Sequence, residues 1–137
     1  MLYNYNARVL RCVDADTLDV QISLGLDVYV NERVRLLGVN CPETFGRKVD
    51  SDEYRAGKKA QAWLIQQLCH GMTDDEAIDL ALNTKGDMRG QVVGHVRIVT
   101  TKDKRGKYGR YLATLYVGDD TESINTKLIL MGFGAEY

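Results

Sequence analysis

Three short segments of alternating apolar and polar residues open the chain, and they restrict the possible folds more than any other feature. These segments cover residues 7–13, 17–23 and 28–38. Because the side chains of a strand point alternately to opposite faces, such spacing predicts half-buried strands and not helices. The first 38 residues are therefore predicted to form a three-stranded meander.

The middle of the chain changes to a helical period. Apolar side chains recur at helical spacing over residues 52–69, and acidic residues lead the N-terminus of this segment. Thr73 followed by Glu76 is typical of a capping box and predicts a second short helix over 74–82. The remaining predicted elements are strands at 92–100 and 110–117 and a final helix at 122–131.

The resulting element order is β-β-β-α-β-β-α, with a small insertion after the first helix. Five short strands with a helix after the third strand are typical of an OB-fold barrel. A length of 137 residues suits one domain and not comfortably two. The sequence therefore predicts a mainly β fold with helices (α+β), a five-stranded OB-fold barrel in a single domain over residues 1–137.

Composition excludes some classes of protein and leaves others open. The formal net charge is −1, so overall charge does not indicate nucleic-acid binding, and any such binding depends on local placement of Arg and Lys. No apolar run approaches the roughly 20 residues that span a bilayer. No membrane association is therefore expected. The N-terminus lacks the features of a signal peptide, so the expected location is cytoplasmic or stays unknown.

The cysteines and histidines form no metal motif. Cys12, Cys41 and Cys69 are an odd number without a CxxC pair, which favours a reducing compartment and no disulfide framework. His70 at a helix end and His95 in a predicted strand have no second ligand at metal-binding spacing. Structural roles are predicted for both histidines.

Two stretches carry carboxylates, and the second also carries an arginine. Asp14 and Asp16 lie in a predicted turn, where paired carboxylates suit a hard cation such as Ca²⁺, although Asp is also common in ordinary turns. Arg35 ends a strand that otherwise reads as core, and Glu43 follows Pro42. This pair is either a phosphate-binding arginine beside a carboxylate that activates water, or a structural ion pair.

The chain has a basic hairpin and an aromatic C-terminal residue. Five cations fall within residues 102–110, and Lys107, Tyr108 and Arg110 form its second half. Such a segment contacts a phosphate backbone or is simply a solvated hairpin tip. Tyr137 either presents its ring to a base or belongs to a frayed end.

Taken in order, these motifs resemble those of the staphylococcal nuclease family, over nearly the whole chain except the insertion near residues 70–90. The matching stretches are Asp-Ala-Asp-Thr at 14–17, Arg-Leu-Leu-Gly-Val-Asn-Cys-Pro-Glu at 35–43, Tyr-Arg-Ala-Gly-Lys-Lys-Ala at 54–60, Lys-Tyr-Gly-Arg at 107–110 and Gly-Phe-Gly-Ala-Glu-Tyr at 132–137. The resemblance implies a Ca²⁺-dependent phosphodiesterase that hydrolyses DNA and/or RNA and leaves 3′-phosphates. By position, Arg35 and Arg110 resemble the arginines that grip the scissile phosphate, and Glu43 resembles the carboxylate that activates water.

The resemblance also implies the metal site. Asp16 resembles a direct calcium ligand, Asp14 resembles a carboxylate reached through water, and Cys41 stands where the family gives a backbone carbonyl to the metal. Asn40 departs from the family, which normally has Asp there as the second direct ligand. Because calcium affinity depends on ligand charge, we expect weaker Ca²⁺ binding or the use of another divalent cation.

The resemblance also bears on the substrate. Lys107 and Tyr108 resemble contacts to a neighbouring phosphate, and Tyr137 is a candidate substrate contact in the C-terminal motif. Single strands are the expected DNA or RNA substrate, because bases must be splayed to stack on side chains such as Tyr108. We expect a monomer.

Two other functions stay open. One is a non-catalytic OB-fold module that binds single-stranded nucleic acid or a protein partner, which Asn40 favours. The other is an interaction or inhibitor protein that uses the basic hairpin alone. The combination of Arg35, Glu43 and Arg110 favours the nuclease, since a binding module has no need of the carboxylate.

Overall fold

The computed structural model describes residues 3–44, 46, 48–49, 51–102 and 111–137. These residues include a closed five-stranded barrel and three helices. The strands are β1 (Tyr3–Asp14), β2 (Thr17–Ser23), β3 (Tyr29–Leu36), β4 (Val39–Asn40), β5 (Val96–Lys102), β6 (Tyr111–Val117) and β7 (Ala135–Glu136). The helices are α1 (Asp52–Leu68), α2 (Asp74–Asn83) and α3 (Ile124–Leu130).

The barrel follows the order β1-β2-β3-β6-β5. Antiparallel pairing joins β1 to β2 and β5, β2 to β3, and β5 to β6. One parallel pair, β3 with β6, closes the barrel. The predicted OB-fold class is thereby confirmed, with mainly β structure plus helices.

The alternation in the sequence sets the inside of the barrel. Leu18 and Val20 are fully buried, and Ile22 is nearly so, while the intervening residues of β2 face outward. Helix α1 contributes Leu64 and Leu68, both fully buried, to the same core. Burial of each such side chain contributes roughly 1.5–3 kcal/mol to the free energy of folding. Because this burial requires apolar residues at every second position, the strand period is visible in the sequence.

Several element boundaries differ from the prediction. Strand β3 ends at Leu36 and not at residue 38, because Gly38 adopts a φ of +77° in a turn. Strand β5 begins at Val96 and not at residue 92, so His95 lies just before the strand, exposed to solvent. The mid-strand position predicted for His95 was therefore wrong.

The C-terminal residues form a second small sheet. Strand β7 pairs with β4 through Val39↔Glu136 and Asn40↔Ala135. Two-residue strands carry no period, so neither strand was predicted. The pairing holds the C-terminal segment against the barrel, and this segment is not a frayed end.

The insertion after α1 continues one edge of the barrel. Helix α2 begins with the predicted capping box, in which the side chains of Thr73 and Glu76 each bond to the other residue's backbone N–H. The following loop runs beside β1: the N–H of Cys12 donates to the carbonyl of Gly86 at 2.9 Å, and the N–H of Met88 donates to the carbonyl of Leu10 at 2.9 Å. Strand β5 pairs with β1 only as far as Ala7, so the loop covers the edge that β5 leaves open.

Two expectations about composition can be compared with the structure. Cys12, Cys41 and Cys69 are all free and buried, in agreement with the absence of a disulfide framework among the described residues. Within the same part of the chain, no helix combines the length and the apolar character that crossing a bilayer requires.

Gly86 is the position at which the insertion is most sensitive to substitution. Its φ is +80°, and an added Cβ would lie 2.0 Å from the carbonyl oxygen of Cys12. Gly90 has a φ of +90° but open space around it. We expect Gly90→Ala to cost only the backbone strain of about 1–2 kcal/mol. Gly86→Ala should lose clearly more stability in urea denaturation, and equal losses for the two variants would contradict the close packing of loop and strand.

Candidate active site

Three segments of the chain meet at one end of the barrel. Because β2 is antiparallel to β3, the start of β2 faces the end of β3, and Thr17 pairs with Arg35. The N–H of Leu36 donates to the backbone carbonyl of Asp16 at 2.8 Å. The loop after β4 closes over the same end, so residues 14–17, 35 and 40–44 form one region.

Asp16 is the buried centre of this region, with only 4% of its surface exposed. Its Oδ2 accepts a hydrogen bond from the N–H of Cys41 at 2.8 Å, and its Oδ1 accepts one from the hydroxyl of Thr17 at 3.2 Å. A buried carboxylate needs such partners, because burial without hydrogen bonds is costly. Asp16 is thus held in a fixed orientation by the loop that follows β4.

Arg35 is held beside Asp16 and remains partly open to solvent. Its Nη2 donates to Oδ1 of Asn40 at 2.8 Å and lies 3.7 Å from Oδ2 of Asp16. Its Cζ lies 5.2 Å from the ring centroid of Tyr137, within the range of a cation–π contact. A guanidinium positioned from several sides, with 21% of the side chain exposed, can present further N–H donors to an anion.

Asp14 provides a second carboxylate at this end of the barrel. Its Oδ1 accepts hydrogen bonds from the hydroxyl of Thr44 at 2.6 Å and from the N–H of Thr44 at 3.3 Å. The pKa of Asp14 is raised, first by burial and also by the negative charges of Asp16 and Glu43, while the Thr44 bonds act to lower it. The charges of Asp16 and Glu43 therefore both act on Asp14, and a bound cation would offset them.

Cys41 lies next to Asp16, to which its backbone N–H donates a hydrogen bond. Burial, and then the charge of Asp16, raises the pKa of the Cys41 thiol to about 12. The thiol therefore stays protonated near neutral pH, whereas soft metals require the thiolate. Among the atoms of Cys41, only the backbone carbonyl is a candidate ligand for a hard cation.

The donor set fits a hard cation in kind but is incomplete in number. Asp14, Asp16 and Asn40 offer carboxylate and amide oxygens, which suit Ca²⁺ or Mg²⁺. Across the residues that the structure describes, no group of three or more His, Cys, Asp or Glu side chains is arranged to hold a metal ion. A cation here would need carbonyl, water or substrate oxygens in addition, and the Asn40 oxygen already accepts from Arg35.

A cleft of about 570 Å³ opens beside these residues. It is lined by Asn40, Cys41, Pro42, Glu43, Glu53, Gly132, Phe133, Gly134 and Ala135. Glu43 is exposed at this cleft. Tyr137 is also largely exposed, at 82%, and its N–H donates to the carbonyl of Gly38 at 3.0 Å. The predicted residues Arg35, Glu43, Asp14, Asp16, Asn40, Cys41 and Tyr137 therefore come together from distant parts of the chain.

The remaining predicted residues lie outside the described part of the chain. Lys107, Tyr108 and Arg110 belong to residues 103–110, for which no structure is given. Their roles stay predictions.

Three residues near the site were missed by the sequence analysis. Thr44 binds Asp14, Glu53 lines the cleft, and Lys58 interacts electrostatically with Asp14 from the buried side of α1. Thr44 stands directly after the motif that ends at Glu43, so its position was a usable signal. Lys58 gave no signal, because a lysine in an amphipathic helix usually faces solvent.

The chain matches a known protein family. A family model described as staphylococcal nuclease homologue matches residues 33–137. The chain belongs to this family. Among curated proteins, no match to the sequence is found. Membership in the family supports a nuclease-like fold and nucleic-acid binding for this chain.

The match begins at residue 33, so β1 and β2 lie outside it. Asp14 and Asp16 therefore belong to the candidate site because of their contacts in the structure, and not because of the family match. The hydrogen bond that the N–H of Cys41 donates to Asp16, and those that Thr44 donates to Asp14, connect the matched segment to the unmatched one.

The Thr44 hydroxyl has a measurable effect on Asp14. Thr44→Val removes the 2.6 Å hydrogen bond, which acts to lower the pKa of Asp14, so that pKa should rise further. The bond stabilises the ionised form. The stability that Thr44→Val loses at neutral pH should therefore shrink as the pH falls through the pKa of Asp14.

The matched control is Thr44→Ser, which keeps the hydroxyl and should leave the pKa of Asp14 near its wild-type value. Carboxyl-carbon NMR titration measures this pKa in all three proteins. An unchanged value in Thr44→Val would contradict the hydrogen bond.

Proposed function

We propose that this chain is a metal-dependent nuclease that hydrolyses phosphodiester bonds of DNA and/or RNA, with Ca²⁺ as the expected cation and 3′-phosphates as products. The observation that carries the proposal is the position of Arg35. Its guanidinium is held by Asn40, Asp16 and Tyr137 at the end of the barrel that also carries Asp14, on which the charges of Asp16 and Glu43 act. Membership in the staphylococcal nuclease homologue family supports the same conclusion.

Arg35 would bind the scissile phosphate. Attack at phosphorus builds negative charge on the equatorial oxygens, and a fixed guanidinium stabilises that charge through paired N–H donors. Arg110 is proposed as the second arginine of this pair, on the basis of the family resemblance. Such oriented donors are typically worth about 10²–10³ in rate each.

Glu43 would accept the proton of the attacking water. The water oxygen forms a bond to phosphorus, the bond from phosphorus to the 5′ oxygen breaks, and the leaving oxygen takes a proton from solvent. The phosphate then stays on the 3′ side. Exposure of Glu43 at the cleft supports this role, because a general base needs to reach only the water.

Asp14, Asp16 and Asn40 would hold the cation through side-chain oxygens, and Cys41 would contribute its backbone carbonyl. When bound, the cation supplies positive charge that stabilises the phosphate oxygens. The chain's own contribution is the preorganisation of Asp16 by the Cys41 N–H and the Thr17 hydroxyl.

Substrate binding would use exposed aromatic and basic side chains. Tyr137 is exposed and lies beside Arg35, so its ring can stack on a base next to the bound phosphate. Lys107 and Tyr108 are proposed to contact a neighbouring phosphate. Single-stranded substrates, cleaved by a monomer, fit these contacts best, because paired bases cannot be splayed onto a ring.

A second candidate function is a non-catalytic module that binds single-stranded nucleic acid. The observation that favours it is the 2.8 Å bond from Arg35 to Asn40. This bond uses an N–H of Arg35, which is proposed to bind the phosphate, and Oδ1 of Asn40, which is proposed to bind the cation. The Arg35 and Glu43 pair still favours the enzyme.

The first test is cleavage of a labelled single strand with and without EDTA. Wild-type protein should cleave with added Ca²⁺ and stop with EDTA. Arg35→Ala should lose about 10²–10³ in rate while circular dichroism stays native. Arg35→Lys keeps the charge but not the paired donors, so it should also lose activity.

The matched control is Lys59→Ala, an exposed cation on α1, which should cleave at the wild-type rate. Absence of cleavage with Ca²⁺, Mn²⁺ and Mg²⁺, together with retained binding, would reject the enzyme in favour of the binding module. Unfolding of Arg35→Ala and Arg35→Lys would give Arg35 a structural role instead.

The second test concerns Asn40. Asn40→Asp restores a charged oxygen of nearly the same size, so Ca²⁺ should bind more tightly and half-maximal activity should need less metal. Calorimetric titration of both proteins with Ca²⁺ measures the change. Unchanged or weaker affinity in the variant would mean that Asn40 is not a metal ligand.

A further inference from the structure

A hollow of about 450 Å³ opens where α1, the insertion helix α2 and the C-terminal segment meet. Its apolar lining comes from Ala62 and Trp63 of α1, Ile78 of α2, and Phe133. The rings of Trp63 and Phe133 are tilted against each other, with 5.5 Å between their centroids. Trp63, Ile78 and Phe133 are only partly buried, so each keeps apolar surface that another molecule can cover.

The hollow follows one face of each helix. On α1 it is lined by residues 59, 62, 63 and 66, and this spacing of three and four positions places them on one side of the helix. On α2 it is lined by Asp74, Asp75 and Ile78. Leu82 lies one turn beyond Ile78 on the same face of α2 and is 46% exposed. The apolar surface therefore continues along α2 and forms a groove beside the two helices.

The α2 side of this groove is acidic, and its charge is not compensated. Helix α2 carries no cation and four carboxylates, which are Asp74, Asp75, Glu76 and Asp79. Between the residues that the structure describes, no ion pair involves any of these four. Asp74 instead accepts a hydrogen bond from the neutral amide of Gln66 at 2.7 Å. One cation, Lys59, also lines the hollow, so the groove and α2 together keep an excess of negative charge.

Apolar lining and uncompensated carboxylates together define the chemistry of a partner. Large apolar side chains of the partner would cover Trp63, Ile78 and Phe133, since buried aromatic contacts supply much of the energy at protein interfaces. The carboxylates of α2 attract Lys and Arg and repel the phosphates of a nucleic-acid strand. A groove beside two helices suits an amphipathic helix, which lays its apolar face into such a surface.

We propose that the groove formed by Trp63, Ile78, Leu82 and Phe133, with the carboxylates of α2 along one side, binds a basic amphipathic helical segment of a partner protein. Its apolar side chains contact the groove, and its Lys or Arg side chains lie over the carboxylates. This interaction goes beyond the proposed nuclease function and requires no cleavage. Phe133 also lines the cleft beside Asn40, so the partner is held next to the candidate active site.

The chain contains its own reporter for this groove, because Trp63 is its only tryptophan. The probe is a synthetic peptide of Leu and Lys at helical spacing, about fifteen residues long, so that it can form a helix on binding. Added to the full chain in EDTA, it should shift the fluorescence of Trp63 to shorter wavelength until the groove is saturated, because binding removes water from the ring. A peptide with Glu in place of every Lys is the matched control and should cause no shift.

Two pairs of substitutions separate local charge from total charge. Asp74→Asn combined with Asp75→Asn should weaken binding of the Lys peptide about fivefold and reduce its dependence on salt. Asp119→Asn combined with Glu122→Gln removes the same charge from exposed positions before α3 that do not line the groove, and should bind like wild type. Equal weakening in the two double variants would mean that only total charge acts, and would overturn the inference.

Leu82→Ala tests the apolar part of the groove at an exposed position. It should weaken binding while leaving the dependence on salt unchanged, and circular dichroism should stay native. No saturable shift with wild type, or wild-type affinity in Leu82→Ala, would each overturn the inference.

Sedimentation equilibrium without peptide tests the other occupant, a second copy of this chain. The wild type should stay monomeric. A dimer that Leu82→Ala dissociates would show that a second copy covers the groove, and would reject the separate partner.

Discussion

The hydrogen bond between the buried carboxylate of Asp16 and the N–H of Cys41 joins the parts of the site. The backbone carbonyl of Asp16 also accepts from Leu36, so one turn fastens both the end of β3 and the loop after β4. A carboxylate with 4% exposure cannot lose these partners without a large cost in stability. The position of Arg35 depends on this arrangement, because Asp16 and Asn40, two polar partners of Arg35 among the described residues, belong to it.

The charges of this region oppose one another in a way that suits binding more than stability. Asp14 has a raised pKa because it is partly buried near Asp16 and Glu43. On its inner side, Lys58 is buried and donates to the carbonyl of Ala81 at 2.8 Å, with its pKa lowered mainly by burial. Like charges held together at a cost in folding energy are typical of sites that bind an opposite charge.

The insertion is bonded to the barrel along β1. Its loop completes the edge of β1 through Gly86 and Met88, which is a structural role. The same loop is held beside Arg11, whose Nε donates to the backbone carbonyl of Lys85, and its Arg89 interacts electrostatically with Asp19 of β2. A loop that packs as a strand continuation can therefore hold exposed cations in a defined place, which a free loop would not do.

Local patterns in the sequence determined the strands β1 to β3, helix α1 and the capping box at Thr73, because period and capping depend on near neighbours. The order of the motifs also indicated the family, and the family match confirms it. The roles assigned to Arg35, Glu43 and Asp16 stay predictions. Only the tertiary structure decided the parallel closure of β3 on β6, the pairing of β4 with β7, and the contact of Arg35 with Tyr137. Periodicity encodes which face of an element is buried, whereas the partner across a barrel is chosen by packing between residues far apart in the chain.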